Sequence, residues 1–125
     1  MALVNLTAKT FHSTTAEGIV LVDFWAAWCG PCRAFAPVFE AAAVRHPDVT
    51  FAKVDTEADP DLAGAYGIRS IPTVLALRDG ILLGAFPGAL PASTLDQLIA
   101  EVRALDMESV RRDAAARAGR QVQPA

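Results

Sequence analysis

Hydrophobic and polar positions along the chain follow two different patterns in turn. Runs rich in β-branched and aromatic residues predict strands at 19–26, 49–55, 73–77 and 81–86. The stretches between them carry apolar residues at helical spacing and predict helices. This alternation indicates an α/β protein with the element order β-α-β-α-β-α-β-β-α, in which helices cover a central β-sheet.

The run 19–26 is continuously apolar except for one carboxylate, Asp23. A continuous run is typical of a central strand that is buried on both faces. An ionised carboxylate in such a place is heavily penalised, so we predict a raised pKa for Asp23. The alternative is an aspartate near the strand end that reaches water.

Capping residues predict where several helices begin. Thr7 can cap a short first helix, and Asp59 or Pro60 can open a short third one. Ser93 or Thr94 can cap the last helix of the predicted order.

Two further local signals shape the middle of the chain. Pro37 lies inside the long helix that follows the cysteines and predicts a kink there. Arg78-Asp79-Gly80 separates two strand-like runs, and Asp-Gly supplies the positive φ angles of a tight turn. We therefore predict an antiparallel hairpin, so that the sheet is mixed.

The end of the chain differs in composition. From Asp106 onward it is rich in Ala and Arg, and Met107 and Val110 are its sizeable apolar residues before Gly119. We predict a domain over 1–105 and a tail over 106–125 that is helical or frayed. A dimer contact or a helix that docks a partner is the alternative for this tail.

Composition limits the classes of function. The chain has 125 residues, 53% of them hydrophobic and 20% charged, which fits one globular domain. A net charge of −3 gives no basic field for nucleic acid or an anionic membrane. The N-terminus has no signal-peptide pattern, and no apolar run approaches the roughly 18 residues of a spanning helix. We therefore expect a cytoplasmic protein with no membrane partner.

Two cysteines three positions apart carry the candidate chemistry. Cys29 follows a strand and precedes a helix, and a helix N-terminus favours the thiolate. Gly30 permits close approach, Pro31 fits the first helical turn, and Cys32 lies across the same turn, where it can resolve a mixed disulfide. A structural disulfide and a zinc site are the alternatives, although neither histidine has metal-ligand spacing to the pair. We expect no metal.

Two segments resemble the motifs of a known family. VDFWAAWCGPC at 22–32 and YGIRSIPT at 66–73 are similar to the two signatures of the thioredoxin family, and the resemblance runs from about Leu6 to Leu105. It implies the thioredoxin fold and a protein-disulfide reductase in which Cys29 attacks and Cys32 resolves. It also implies disulfide-containing protein substrates, a thioredoxin reductase that uses NADPH, and no cofactor beyond the cysteine pair. We expect a monomer.

The resemblance also assigns supporting roles. Asp23 becomes the general base for Cys32, with Lys53 as its partner, and Pro72 becomes a cis proline that faces the cysteines. The residues implied to form an apolar substrate platform are Trp28, Ile71, Pro72, Gly88 and Ala89. An exposed lysine remains the alternative for Lys53, and ordinary core remains the alternative for Ile71 and Ala89.

The sequence departs from the family pattern at three positions, and two other functions are possible. Pro87 and Pro91 indicate a stiffer far rim of the platform, and Arg33 stands where lysine is also common in the family. An oxidant or isomerase with the same fold is the runner-up, although Gly30-Pro31 favours a reductase. A binding module in which the cysteines only report the partner's state is the third possibility.

Overall fold

The computed structural model describes residues 3–121 and contains one five-stranded mixed sheet with helices on both faces. Its element order is the predicted one with one helix added at the end. The elements are β1 Val4–Asn5, α1 Phe11–Thr15, β2 Ile19–Trp25, α2 Gly30–Arg45, β3 Thr50–Asp55, α3 Pro60–Ala65, β4 Thr73–Arg78, β5 Ile81–Pro87, α4 Ala92–Ala104 and α5 Met107–Gln121.

The strand order is β1-β3-β2-β4-β5, so β2 lies in the centre as predicted. β2 runs parallel to β3 and antiparallel to β4, and β4 and β5 form the antiparallel hairpin. Asp79 and Gly80 have φ angles of 52° and 82° at its turn. In the register of β2, Asp23 pairs with Lys53 on one side and with Val74 on the other.

Two hydrophobic cores fill the two faces of the sheet. One lies under α2 and α4 and is built on Phe35, Phe39 and Ile99. The other lies under α1 and α3 and includes Phe11 and Ala63. Because β2 is covered on both sides, its residues 20–24 are fully buried, which explains the continuous apolar pattern of this strand.

The predicted starts of α1 and α4 are wrong by a few residues. α1 begins at Phe11 with Thr10 at the N-cap, because the Thr7 carbonyl accepts from the Phe11 N–H and closes a preceding turn. α4 begins at Ala92 with Pro91 at the N-cap, where the missing N–H costs no helical bond. The hydroxyl residues 93 and 94 therefore lie inside the first turn of α4.

Other boundaries agree better with the pattern. α3 has Asp59 at its N-cap and Pro60 at its first position, as predicted. α2 contains Pro37 and is one continuous helix from Gly30 to Arg45, and the kink at Pro37 stays a prediction.

The C-terminal segment forms a separate helix rather than a continuation of α4. Leu105 has an extended backbone with ψ of 140°, which ends α4, and α5 starts two residues later. Met107 is buried, so the first turn of α5 is packed. The predicted division into a domain over 1–105 and a tail over 106–125 stays a prediction. Residues 1–2 of that domain and 122–125 of that tail lie outside the described part of the chain. Within residues 3–121, no helix has the length and apolarity needed to cross a membrane.

Candidate active site

The two cysteines form a disulfide at the N-terminus of α2. Cys29 is the N-cap residue, with φ and ψ of −87° and 111°, and its Sγ accepts a hydrogen bond from the Cys32 N–H at 3.2 Å. The Cα atoms of the pair are 5.2 Å apart. The sulfur of Cys29 therefore occupies the place where unpaired helix N–H groups favour negative charge.

The disulfide is covered, but the residue before it is exposed. Cys29 and Cys32 are 4% and 3% exposed and pack with Ala26, Trp25 and Ile71. Trp28, by contrast, is 66% exposed. A large indole left in water beside a redox-active pair is an available contact for a second protein.

A cis peptide bond joins Ile71 to Pro72, as the resemblance implied. The Ile71 carbonyl oxygen lies 3.7 Å from Cys29 Sγ, and the Pro72 carbonyl accepts from the Gly88 N–H at 2.8 Å. This bond brings Gly88, with φ of 98°, and the exposed Ala89 to the Pro72 segment. Ordinary core is therefore the wrong interpretation for Ala89, whereas Ile71 is half-buried and packs against the disulfide cluster.

A groove of about 190 Å³ runs between Trp28 and Ile71. Its remaining lining residues are Thr56, Ala63, Ile68, Arg69 and Ser70. None of these five was predicted to belong to the site, although Ile68, Arg69 and Ser70 stand inside the second motif. Thr56 carried no local signal, since its place depends on a bond from its N–H to the Trp25 carbonyl of another strand, at 2.9 Å.

Asp23 is fully buried, and neither carboxylate oxygen has a hydrogen-bond partner among residues 3–118, whose side chains the structure describes. Burial raises the pKa of Asp23 from 3.8 to about 6, and the charge of Lys53 partly opposes this rise. The alternative of an aspartate that reaches water is wrong. Asp23 makes no hydrogen bond to either cysteine in this disulfide form.

Lys53 lies on the strand beside Asp23 and is half-buried rather than exposed. Its Nζ is 4.9 Å from the centroid of the Trp25 ring, a cation–π distance. Trp25 in turn packs against the cysteine cluster. Asp23 is thus the register partner of Lys53, Lys53 lies over the Trp25 ring, and Trp25 packs against the disulfide.

The chemistry that the cysteine pair supports is thiol–disulfide exchange. Within residues 3–121, no three His, Cys, Asp or Glu side chains are grouped as metal ligands. A disulfide closed across one helical turn at a helix N-terminus, with the Ile71 carbonyl beside it, defines a thiol–disulfide oxidoreductase.

Comparison with known proteins identifies the family. Residues 2–101 match the family model described as Thioredoxin. The chain belongs to the thioredoxin family. It is a protein-disulfide reductase that acts by dithiol–disulfide exchange through its own cysteine pair.

Individual relatives agree with this membership. The chain is 51% identical over 110 residues to "Putative thioredoxin 2" of Streptomyces coelicolor, covering 87% of this chain and 82% of that protein. It is 42% identical over 100 residues to "Thioredoxin" of Bacillus subtilis, covering 79% and 96%.

A solved structure shares the thioredoxin fold with a TM-score of 0.74 and 29% identity, over 80% of this chain and 95% of that one. It comes from work on the structural basis of the thiol resolving mechanism in yeast mitochondrial 1-Cys peroxiredoxin via glutathione/thioredoxin systems.

Proposed function

We propose that Cys29 is the attacking thiolate of the reductase and that Cys32 is the resolving thiol. The observation that carries this assignment is the place of Cys29 at the N-cap of α2, where its sulfur accepts the Cys32 N–H and lies 3.7 Å from the Ile71 carbonyl oxygen. The helix N-terminus stabilises a thiolate on Cys29. The adjacent carbonyl edge offers a place for the substrate backbone.

The exchange takes two steps. The Cys29 thiolate attacks one sulfur of a substrate disulfide, forms a mixed disulfide and releases the other substrate sulfur as a thiolate. Cys32 then loses its proton and attacks Cys29 Sγ, which releases the second substrate thiolate and closes the Cys29–Cys32 disulfide. The substrate gains two electrons, and the cysteine pair loses them.

Asp23 is proposed as the acceptor of the Cys32 proton. Its pKa of about 6 leaves the carboxylate mostly ionised at neutral pH and still basic enough to take a proton in the transition state. The missing hydrogen-bond partners support this role, because a carboxylate held by donors would be a weaker base. Lys53 is proposed to keep the ionised form accessible by its charge.

Substrate is proposed to bind in extended form across the platform beside the disulfide. The backbone of Ile71 would pair with the substrate segment by strand addition, with Pro72 fixing the direction of this edge. Trp28, Gly88 and Ala89 would contact the substrate side chains from the two sides. The exposure of Trp28, Gly88 and Ala89 supports this proposal.

The oxidised protein is proposed to be recharged by a flavin-dependent thioredoxin reductase with electrons from NADPH, and to act as a monomer in the cytoplasm. The names of its relatives support a thioredoxin system of this kind. Gly30 and Pro31 between the cysteines favour the reducing end of the family's range over an oxidant.

Reduction of insulin disulfides with NADPH and a bacterial thioredoxin reductase tests the proposal. We expect turnover with the natural chain and none with Cys29→Ser. Cys32→Ser is expected to retain substrates as mixed disulfides on Cys29. Turnover that survives Cys29→Ser, or a Cys32→Ser protein that captures no substrate, would overturn the assignment.

A further inference from the structure

Trp28 stands in a short loop between the end of β2 and the start of α2. The loop is exposed at Ala27 and Trp28, so packing against the core contributes little to its position. Backbone hydrogen bonding inside it includes the Cys29 N–H to the Ala26 carbonyl at 3.2 Å. The orientation of the indole therefore depends on how the Ala27–Trp28 peptide is held.

One residue binds the carbonyls on both sides of the Trp28-Cys29 pair. The Arg33 guanidinium donates from Nη1 to the Ala27 carbonyl at 2.8 Å. The backbone N–H of Arg33 donates to the Cys29 carbonyl at 3.1 Å. The side chain thus folds back over the first turn of α2 and joins the loop to the helix.

Helix stability does not explain this arrangement. A cation in the first turn of a helix faces the positive end of the helix dipole, which disfavours it. The guanidinium lies beside Gly30, since a Cβ built there would be in van der Waals contact with Arg33 Nη2 at 3.9 Å. The guanidinium therefore lies over Gly30, between the two cysteines in sequence, where it acts on the loop.

We propose that Arg33 is a positioning residue that fixes the Ala27–Trp28 peptide and thereby holds Trp28 in the orientation that receives a protein substrate. This inference rests on the proposed function of Trp28 as part of the substrate platform. The role belongs to the geometry of the guanidinium rather than to its charge alone. Lysine keeps the charge but lacks the rigid planar fork.

The test compares Arg33→Lys and Arg33→Met with the natural chain in the fully reduced state. The measured quantities are the second-order rate constants for insulin and for the small neutral hydroxyethyl disulfide. Loss of one hydrogen bond that fixes the platform is expected to slow insulin by about fivefold in both variants. The rate with hydroxyethyl disulfide is expected to stay unchanged, because that molecule does not need the platform.

A second measurement reports the loop directly. The Trp28 amide shares its peptide plane with the Ala27 carbonyl, so its backbone order parameter from ¹⁵N relaxation is expected to fall in both variants. Arg45→Met is the matched control, since it removes an arginine from the other end of the same helix. It is expected to change neither rate nor the order parameter.

Three outcomes would overturn the proposal. If Arg33→Lys behaves like the natural chain while Arg33→Met slows both disulfides, the residue acts by charge. If neither variant changes the insulin rate while Trp28→Ala lowers it, the platform stands and the positioning role fails. If Trp28→Ala itself leaves the insulin rate unchanged, the platform fails and the substrate-positioning role of Arg33 fails with it.

Discussion

The two ends of α2 treat carboxylates in opposite ways. Near the N-terminal end, Asp23 is buried without a hydrogen-bond partner, and its pKa rises to about 6. Near the C-terminal end, Asp96 and Asp48 are solvated and bonded to basic side chains, which hold both pKa values below 3.8. The fold thus gives basic partners to the two surface carboxylates and leaves without a partner the buried carboxylate that we propose as the proton acceptor of Cys32.

At the C-terminal end of α2, the carboxylates and the imidazole all have hydrogen-bond partners. His46 Nε2 lies 2.7 Å from Asp96, and Arg103 Nη2 lies 3.2 Å from His46 Nδ1. Because a guanidinium only donates, Nδ1 accepts and Nε2 carries the proton to Asp96. Arg45 adds a bond to Asp96, and Arg103 adds a pair with Asp48. These contacts join α4 to the C-terminal end of α2 and to the loop that follows it.

The largest expected effect is that of Asp23→Asn on the free energy of unfolding. In the oxidised protein, Asp23 has a folded pKa of about 6 against 3.8 unfolded, so the folded state binds more protons between these values. The free energy of unfolding therefore falls as pH rises through this window, by about 3 kcal/mol in all. Asp23→Asn removes this loss, so we expect stabilisation of up to about 3 kcal/mol at pH 7 that vanishes near pH 4.

Urea unfolding of the oxidised natural and variant chains at both pH values checks this prediction. An equal stability difference at pH 7 and pH 4 would show that the titration of Asp23 is not its cause. A destabilised variant at pH 7 would mean that the buried carboxylate has partners in solution.

The second effect is on the reaction itself. Without the proposed base, the Cys32 thiol would have to lose its proton to water, so Asp23→Asn is expected to slow resolution of the mixed disulfide by about 100-fold at pH 7. Quenched-flow measurement of the mixed disulfide follows this step. Asp96→Asn is the matched change at the other end of α2 and is expected to leave the rate unaltered. Equal slowing in both variants would contradict the proposal that Asp23, and not Asp96, takes part in resolution of the mixed disulfide.

A smaller effect is expected from opening the C-terminal network. His46→Leu removes the contacts of both ring nitrogens and is expected to lower the free energy of unfolding by about 1 kcal/mol, because the freed groups return to water. Urea unfolding at pH 7 gives this value. The rate constant for insulin is expected to equal that of the natural chain. A large loss of activity would contradict the claim that the contacts at the C-terminal end of α2 do not affect the reaction at its N-terminal end.

The smallest expected effect is the loss of the Asp96 contribution to the free energy of unfolding at low pH. The pKa of Asp96 is lowered by its bonds to His46 and Arg45, so its contribution to stability is present above about pH 4 and is lost on acidification. The stability difference between the natural chain and Asp96→Asn is therefore expected to shrink as the pH falls below 3.8. A difference that grows there would be contrary to this sign. Unfolding curves between pH 3 and 7 supply the comparison.

Much of the N-terminal end of α2 was predictable from the sequence, and little of the C-terminal end was. Asp23 stood out because one charge interrupted an apolar run, and Cys29 because a strand and a helix met there. His46, Asp96 and Arg103 carried no such signal, since His46 lies 50 residues from Asp96 and 57 from Arg103 in the chain and meets them only through the packing of α4 on α2. Local patterns report burial and capping, whereas pairings between distant surface residues depend on the tertiary fold.

Titration of the Asp23 carboxyl carbon, followed by ¹³C NMR in the oxidised protein, tests most sharply whether this carboxyl lacks partners. We expect a pKa of about 6 for Asp23, with Asp96 titrating below 3.8 in the same sample. An Asp23 carboxyl that titrates near 3.8, like an aspartate in water, would contradict the claim that the fold keeps this group without partners for its proton.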